Sequence, residues 1–427
     1  MADDLAAVVM AAGIGTRMKS ATPKHLHPLL GRRLVDWVVE AARGAGVERV
    51  VVVASAETEE LFAGVEIAVQ EEPRGTGDAV RCARETLAGF EGDVLVLNGD
   101  VPALRAETIA SLVETHRASG AAATVLSFEP PDSLAYGRIV RDDDGRLARI
   151  VEAADASPEE LALTEVNSGI YVFRAGKLWP ALERLDPQNA QGELYVTDTL
   201  GILVADGETC AVELAADPFE AEGVNTRVEL AAAAAILRDR INHEHMLAGV
   251  TIVDPASTWI EAGVEIEPDV VIHPFTVIRG EVRIATGVEI GPFAYIRPAT
   301  EIAAGAKIGT FVEVKNTVVG AGAKIPHLSY VGDAEIGEET NVAAGNITAN
   351  FSHVPGEPKK RTTIGRNVRT GVDNTFLAPV EIGDDSWIAP GAVITENVPP
   401  GSLAGFAPRQ VTKEGWVYEQ HGNPDGD

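Results

Sequence analysis

The 427-residue chain is short of cysteine, aromatic residues and positive charge, and it has no long apolar run. Only Cys82 and Cys210 occur. Two thiols so far apart make no disulfide framework and read as reduced groups of a cytoplasmic protein. Aromatics reach only 5%, so cores must be built from aliphatic side chains. Lysine and arginine number 35 against 64 aspartates and glutamates, a formal charge of −29. Such an acidic surface repels nucleic acid and anionic lipid, and neither is expected as a partner. It repels phosphate-bearing substrates as well, so a phosphate site has to gather arginine, lysine, backbone N–H groups or a metal locally. No stretch is long and apolar enough to span a membrane. The N-terminus has no basic segment and its apolar run is interrupted at Gly13 and Gly15, so no signal peptide is expected.

What the chain does have is 45% hydrophobic residues and 42 glycines, enough for two or three domains with cores and many tight turns. Residues 1–225 alternate apolar runs with amphipathic segments. Residues 5–10, 49–54 and 94–97 read as strands and 34–43 as a helix, a pattern that argues for a parallel α/β sheet. Binding sites in such sheets lie at the carboxyl ends of the strands, where Gly13 and Asp100 fall. Residues 226–249 read as one helix. Thr226 and Glu229 form a capping box, 230–247 are rich in alanine and leucine, and Gly249 ends the run. At 1.5 Å per residue this is a connector of roughly 30 Å.

Residues 250–427 carry a repeat. Ile266, Ile272, Ile278, Ile284, Ile290, Ile296, Ile302, Ile308 and Val314 fall at intervals of six. The period returns at Val319, Ile325 and Val331, at Ile336, Val342 and Thr348, and from Ile364 to Ile394. No helix keeps a face at period six. A triangular β-coil does, with three hexapeptides per turn and one aliphatic side chain of each pointing inward. The one-residue slips at Val319 and Ile336 read as local bulges, 350–363 as an excursion loop, and the segment after Glu414 as a flexible tail.

Chemistry concentrates at a few places. Met10-Ala11-Ala12-Gly13-Ile14-Gly15-Thr16-Arg17-Met18 follows the first strand, and its glycines let backbone N–H groups close around phosphate oxygens. Met18 replaces the third glycine of a dinucleotide fingerprint, and no Gly-Lys-Ser/Thr of a P-loop follows. Arg17 and Lys24 suit charge developing on a transferring phosphorus. The same residues also make an ordinary strand-to-helix turn. Asp100, in Asn98-Gly99-Asp100, suits Mg²⁺ bridging phosphate oxygens, with Asn225 as a second ligand; a plain turn and a residue ahead of a cap are the alternatives. In the repeat, His327 sits between core positions Ile325 and Val331. A neutral imidazole there takes a proton from an attacking amine, although a lone histidine between strands is more often structural. His273, His327 and His353 are available as zinc ligands between subunits, but their neighbours do not recreate such a site.

Taken in order, Gly-x-Gly-Thr-Arg-Met, Pro23-Lys24, Gln70 with Gly75-Thr76-Gly77, and Gly99-Asp100-Val101-Pro102 resemble the sugar nucleotidyltransferases. Tyr136-Gly137-Arg138-Ile139, Ile150-Val151-Glu152, Asn167-Ser168-Gly169-Ile170, Gly192-Glu193-x-Tyr195-x-Thr197-Asp198 and Gly223-Val224-Asn225 narrow the likeness. It is to the family of bifunctional N-acetylglucosamine-1-phosphate uridylyltransferase/glucosamine-1-phosphate acetyltransferases. His327-Leu328-Ser329-Tyr330 followed by Gly332-Asp333 matches the acetyltransferase half. The resemblance implies a Rossmann-like mixed-sheet α/β nucleotidyltransferase domain (1–225), a connecting helix (226–249) and a left-handed parallel β-helix acetyltransferase domain with a flexible tail (250–427). It implies acetyl transfer from acetyl-CoA to glucosamine-1-phosphate, then attack of N-acetylglucosamine-1-phosphate on UTP with release of pyrophosphate. It also implies Mg²⁺ and a homotrimer with acetyl-transfer sites at subunit contacts.

Carried over by position, Ala11, Ala12, Gly13, Lys24, Gln70, Gly75 and Thr76 would bind the nucleotide, and Arg17 and Lys24 would act in catalysis. Gly137, Glu152, Asn167 and Asn225 would bind the sugar, and Asp100 and Asn225 the metal. In the repeat, His327 would be the general base. Arg297, Lys315, Tyr330, Asn341 and Lys359 would bind the acceptor, and Asn350, Phe351, Val372 and Pro390 would lie along acetyl-CoA. The chain departs from the family at Asn98, where tyrosine is usual, and at Asn350-Phe351-Ser352-His353, where Asn-Tyr-Asp-Gly is usual. Val372 and Pro390 replace serine and alanine. The competing readings are a monofunctional nucleotidyltransferase using UTP or dTTP whose β-helix trimerises it or serves another acyl acceptor, and a β-helix scaffold with a relic catalytic domain.

Overall fold

The first strand, Leu5–Met10, is apolar at every position and buried at every position. Ala7 and Val9 enter one core with Val52 and Leu95, while Ala6 and Val8 enter a second with Val51 and Val94. A strand buried on both faces has no polar side to alternate with, and the sheet it belongs to must be covered on both sides. The computed structural model describes residues 4–13, 15–131, 136–143, 145–189, 191–352, 354–405 and 412–421. The chain divides into two compact units, Met1–Leu237 and Arg238–Asp427.

In the first unit the strands are β1 (Leu5–Met10), β2 (Arg49–Ser55), β3 (Glu66–Gln70), β4 (Asp93–Asn98), β5 (Ala123–Phe128), β6 (Arg138–Arg141), β7 (Leu147–Val151), β8 (Val166–Arg174) and β9 (Cys210–Leu214). The sheet order is β9-β5-β8-β4-β1-β2-β3, with β6 pairing β8 and β7. Pairs among β1 to β4 are parallel, as is β9 with β5. Strand β8 runs antiparallel between β4 and β5, so the sheet is mixed, where the alternating pattern alone argued for a parallel one. The hairpin β6–β7 turns the chain back before β8, so β8 enters from the opposite edge with no crossover helix before it. Helices Leu34–Gly44 and Ala106–Ser119 cover one face; Thr76–Cys82, Ala175–Leu182 and Asp198–Ala205 cover the other. Met10, Ser55, Gln70 and Asn98, the last residues of four parallel strands, therefore share one edge.

The second unit is a parallel β-helix. Ile260, Ile278, Ile296 and Val314 stack on one face, Ile266, Ile284 and Ile302 on a second, and Ile272, Ile290 and Ile308 on the third, each 18 residues above the last. Their side chains fill a single core. Between Ile302 and Tyr330 the partners are 17 apart, as in Ile302↔Val319 and Val314↔Val331, and after the excursion they return to 18, as in Ile364↔Ile382. The slips expected as bulges are the reverse: the ladder from Glu313 to Val319 pairs Lys315 with Gly332 and Thr317 with Ala334 without an extra residue. The corner is one residue shorter, and Asn316 and Asp333 turn it at φ 47° and 51°. Left-handed backbone suits asparagine and aspartate better than other residues with a Cβ. The excursion leaves at Ala349 and the coil resumes at Thr362, closed by Lys360 N donating to Asn350 O at 3.0 Å. Trp416–His421 is helical.

The helix Arg227–Leu247 serves both units. Thr226 N donates to Glu229 Oε2 at 2.9 Å and Glu229 N to Thr226 Oγ1 at 3.2 Å, the reciprocal capping pair. Ala233 and Leu237 pack with Leu29, Leu34 and Val224 in the first unit. Ile241 packs on the core of the second, where Asn242 Nδ2 donates to Pro255 O and Thr258 O, both at 2.9 Å. Among the described residues no helix is long and apolar enough to cross a membrane.

Candidate active sites

The first site stands on the shared strand edge. Ala11 N continues the ladder to Val53 O at 2.8 Å, and Gly99 N donates to Met10 O at 2.9 Å, which locks the two loops together. Ala11 is buried, Ala12 half-buried and Gly13 exposed. Gly15 lies at φ 70°, and a Cβ there would run into the Lys24 side chain, so glycine is what lets Lys24 lie against the loop. Lys24 Nζ pairs with Asp100 Oδ2 and donates to Asn225 Oδ1 at 3.1 Å. Arg17 Nη2 donates to the same Asn225 oxygen at 2.9 Å. Residues 76 and 201 positions from Lys24 thus converge on one ammonium. Val224 N, which donates to Asp100 O at 2.8 Å, fixes that approach. Burial by itself would raise the Asp100 carboxyl, but the Lys24 ammonium outweighs it and holds the group below the ordinary carboxylate range. A carboxylate and an amide oxygen around a single positive charge form an all-oxygen set that fits Mg²⁺, which takes few protein ligands and keeps its waters.

Gln70 is buried, and its Nε2 donates to Asp78 Oδ2 at 2.9 Å and Gly75 O at 3.2 Å. Gly75, at φ 111°, has no room for a Cβ beside Leu194. Thr76 Oγ1 accepts from Val196 N at 3.0 Å. Gln70, Gly75 and Thr76 therefore form one corner, two strands away from the glycine loop. Thr76 also lines a cavity of about 390 Å³ with Asn98, Glu152, Asn167 and Thr197. A smaller cavity of about 210 Å³ joins Glu152 and Asn167 to Asp100 and Asn225, so sugar and metal positions open onto one space. A Cβ on Gly137 would stand 3.3 Å from Glu152 Oε2. Asn167 N donates to Gly137 O at 2.8 Å, and its side chain shares hydrogen bonds with the Tyr171 hydroxyl. Burial, then Asp198 and Asp155, raises the Glu152 carboxyl. Tyr136 lines the smaller cavity and its hydroxyl is pushed up to about 12, by burial first and then by Glu222 and Glu229. Tyr136 and Thr197 lie inside the motifs that carried the resemblance, yet no role had been read for them.

The second site lies along one corner of the coil. His327 ends the strand Lys324–His327, is exposed, and its ring makes no hydrogen bond among the described residues. Three residues on, the Tyr330 hydroxyl accepts from Asn350 Nδ2 at 3.2 Å, and the same amide pairs with Asp333. A Cβ on Gly332 would strike the Tyr330 hydroxyl. Asp333 also accepts from Asn316, so both short-corner residues belong to this network; the motif contains Asp333 but gives no role to either. Arg297 Nη1 donates to Glu313 Oε1 at 2.7 Å. The Lys315 ammonium is pulled below the ordinary lysine range, first by the Lys359 ammonium beside it and then by burial and the charge of Arg297. Arg297 has its carboxylate in Glu313, but the crowding of Lys315 by Lys359 is what a phosphate dianion relieves. Asn341 lies apart from them, on the face where it pairs with Lys324 and Arg369. Phe351 and Val372 are exposed, and Gly391 N donates to Val372 O at 2.8 Å, setting Pro390 beside Val372 one coil on. His353, of the zinc trio, lies outside the described residues; among those described no group of three or more histidine, cysteine or acidic side chains is arranged for a metal.

Comparison with known proteins matches both halves. A MobA-like NTP transferase domain profile fits residues 7–199, and a profile of bacterial transferase hexapeptide (six repeats) fits residues 263–298. The bifunctional protein GlmU of Pelobacter propionicus is 45% identical over 97% of this chain and 98% of its own length. That of Trichlorobacter lovleyi is 44% identical over 98% and 99%, and that of Corynebacterium diphtheriae 43% identical over 99% and 96%.

Proposed function

The chain belongs to the family of bifunctional GlmU proteins, and from that membership we propose how its residues divide the two reactions that make UDP-N-acetylglucosamine. It is both a nucleotidyltransferase and an acetyltransferase. Residues 1–225 carry uridylyl transfer and residues 250–427 acetyl transfer, with 226–249 as the helix between.

In uridylyl transfer the phosphate of N-acetylglucosamine-1-phosphate attacks the α-phosphorus of UTP, and pyrophosphate leaves. Ala11, Ala12 and Gly13 offer backbone N–H groups to the triphosphate, while Gln70, Gly75 and Thr76 hold the base. Gly137, Glu152 and Asn167 hold the sugar, with the Glu152 carboxyl placed to hydrogen-bond its hydroxyl groups. Mg²⁺, when bound by Asp100 and Asn225, supplies charge neutralisation across the phosphates. Lys24 contacts phosphate, and Arg17 stabilises charge in the transition state. The observation that carries this reading is the sharing of the Lys24 ammonium by Asp100 and Asn225.

In acetyl transfer His327 takes a proton from the amine of glucosamine-1-phosphate as it attacks the thioester of acetyl-CoA, and the thiolate leaves to be protonated. Arg297, Lys315 and Lys359 bind the acceptor phosphate and Tyr330 its sugar. Asn350, Phe351, Val372 and Pro390 line the thioester arm. Arg297, Lys315 and Tyr330 lie on one face and Asn341 on another, so a second copy set against the His327 corner would complete the ring of acceptor ligands. In this reading the protein is a homotrimer of the cytoplasm, and the trimer supplies that second copy. The test is acetyl-CoA consumption with glucosamine-1-phosphate, read as free thiol, beside pyrophosphate release from UTP and N-acetylglucosamine-1-phosphate. His327→Ala is expected to lose at least about 100-fold in acetyl transfer and keep uridylyl transfer; Asp100→Ala is expected to do the reverse. One variant that abolishes both in a folded protein refutes the two-site assignment.

A further inference from the structure

Trp387 is 63% exposed on the outer face of the coil, with Leu403 beside it at 75%. Their register partners run in one line: Lys324 beside Asn341, Asn341 beside Arg369, Arg369 beside Trp387, and Trp387 beside Leu403. Thr370 and Ile388, next in sequence, point the other way, so Arg369 and Trp387 stand on the solvent side about 4.8 Å apart along the axis. In a chain of charge −29 most coil arginines have found carboxylates: Arg279 with Glu261, Arg297 with Glu313, Arg361 with Glu335 and Arg366 with Asp385. Arg369 has none among the described residues; its Nη2 reaches only Asn367 Oδ1, at 3.2 Å. A guanidinium without a counter-charge beside a bare indole face is a pair fitted to a flat, anionic ligand.

The position of the pair says which ligand. Lys324, Arg369 and Trp387 each precede by three residues a residue of the reacting corner: His327, Val372 and Pro390. Trp387 lies three coil steps from the level of His327, about 14 Å along the axis at the usual strand spacing, and about 10 Å across from the corner at 3.3 Å per residue. That separation matches an extended pantetheine and pyrophosphate arm whose thioester lies at His327. We propose that Trp387 and Arg369 form the adenosine end of the acetyl-CoA site, Trp387 stacking on adenine and Arg369 pairing with the 3′-phosphate. The assignment rests on the acetyltransferase reading and adds residues that reading does not use.

The test is the KM for acetyl-CoA and calorimetric binding of CoA and of dephospho-CoA, which lacks the 3′-phosphate, to the full-length protein. Trp387→Ala is expected to raise the KM for acetyl-CoA about tenfold, within the range for loss of a base–aromatic stack, and Trp387→Phe to recover most of it. The KM for glucosamine-1-phosphate and the rate of uridylyl transfer stay as they were. Arg369→Ala is expected to erase the preference for CoA over dephospho-CoA. A wild type that transfers acetyl groups while both variants keep its KM and its preference overturns this proposal alone. A wild type that neither transfers acetyl groups nor binds CoA overturns the acetyltransferase reading and this proposal with it.

Discussion

His25 lies beneath the phosphate loop, its Cε1 3.6 Å from where a Cβ on Gly13 would stand and its Cδ2 3.1 Å from the same point on Gly99. Burial lowers its pKa from 6.5 to about 4; Asp100 pulls it upward and Lys24 adds to the lowering. A neutral ring there keeps a further positive charge from crowding Lys24. The unfolded chain takes up a proton below pH 6.5, the folded one only near pH 4. Between those values the unfolded state binds more protons, so stability falls as pH drops through that window and is constant outside it. The full loss is on the order of 3 kcal/mol. Denaturant unfolding from pH 4 to pH 7 should show this slope, and His25→Leu should flatten it. Both His25 and His27 are buried, and nothing in Pro23-Lys24-His25-Leu26-His27 announces that His25 is the one beneath this loop while His27 faces Arg227; the turn Lys24–Leu26 decides it.

At the level of elements, the repeat was legible because its physical cause is local. One aliphatic side chain per hexapeptide is the least that fills a triangular coil, and Ile272, Ile290 and Ile308 are all fully buried. Ile290→Ala should cost about 2–5 kcal/mol in the unfolding free energy of the second unit, as large-to-small changes in packed cores do. The short corner was misread because a slip in period looks the same whether a residue is gained or lost; only the pairing of Lys315 with Gly332 tells them apart. That corner brings Asp333 to Asn350 and Tyr330. Gly332→Ala should therefore displace the Tyr330 ring and raise the KM for glucosamine-1-phosphate, with uridylyl transfer unchanged, which steady-state kinetics on both reactions will check.

For the whole molecule, the two activities differ in what they need. The uridylyl site draws all its assigned residues from Met1–Leu237, whereas the acceptor residues of the acetyl site are divided between faces of one coil. Dilution that dissociates the assembly should lower specific acetyl transfer while specific uridylyl transfer holds, measured against sedimentation at the same concentrations. The net charge of −29 sharpens the contrast inside each site. With the surface repelling phosphates, binding depends on the few cations set against it: Arg17 and Lys24 in one unit, Arg297, Lys315 and Lys359 in the other.

The sequence by itself determined the strands at 5–10 and 49–54, the capped helix, the coil and the ordered motifs that resemble one family, because each rests on neighbours in the chain or on a repeat of fixed period. Tertiary structure decided the rest. The antiparallel course of β8, the convergence of Lys24, Asp100 and Asn225, the crowding of Lys315 by Lys359, and the bare pair Arg369 and Trp387 join residues far apart in sequence. Charge and burial act through space, and no local pattern in the chain records how near those residues come.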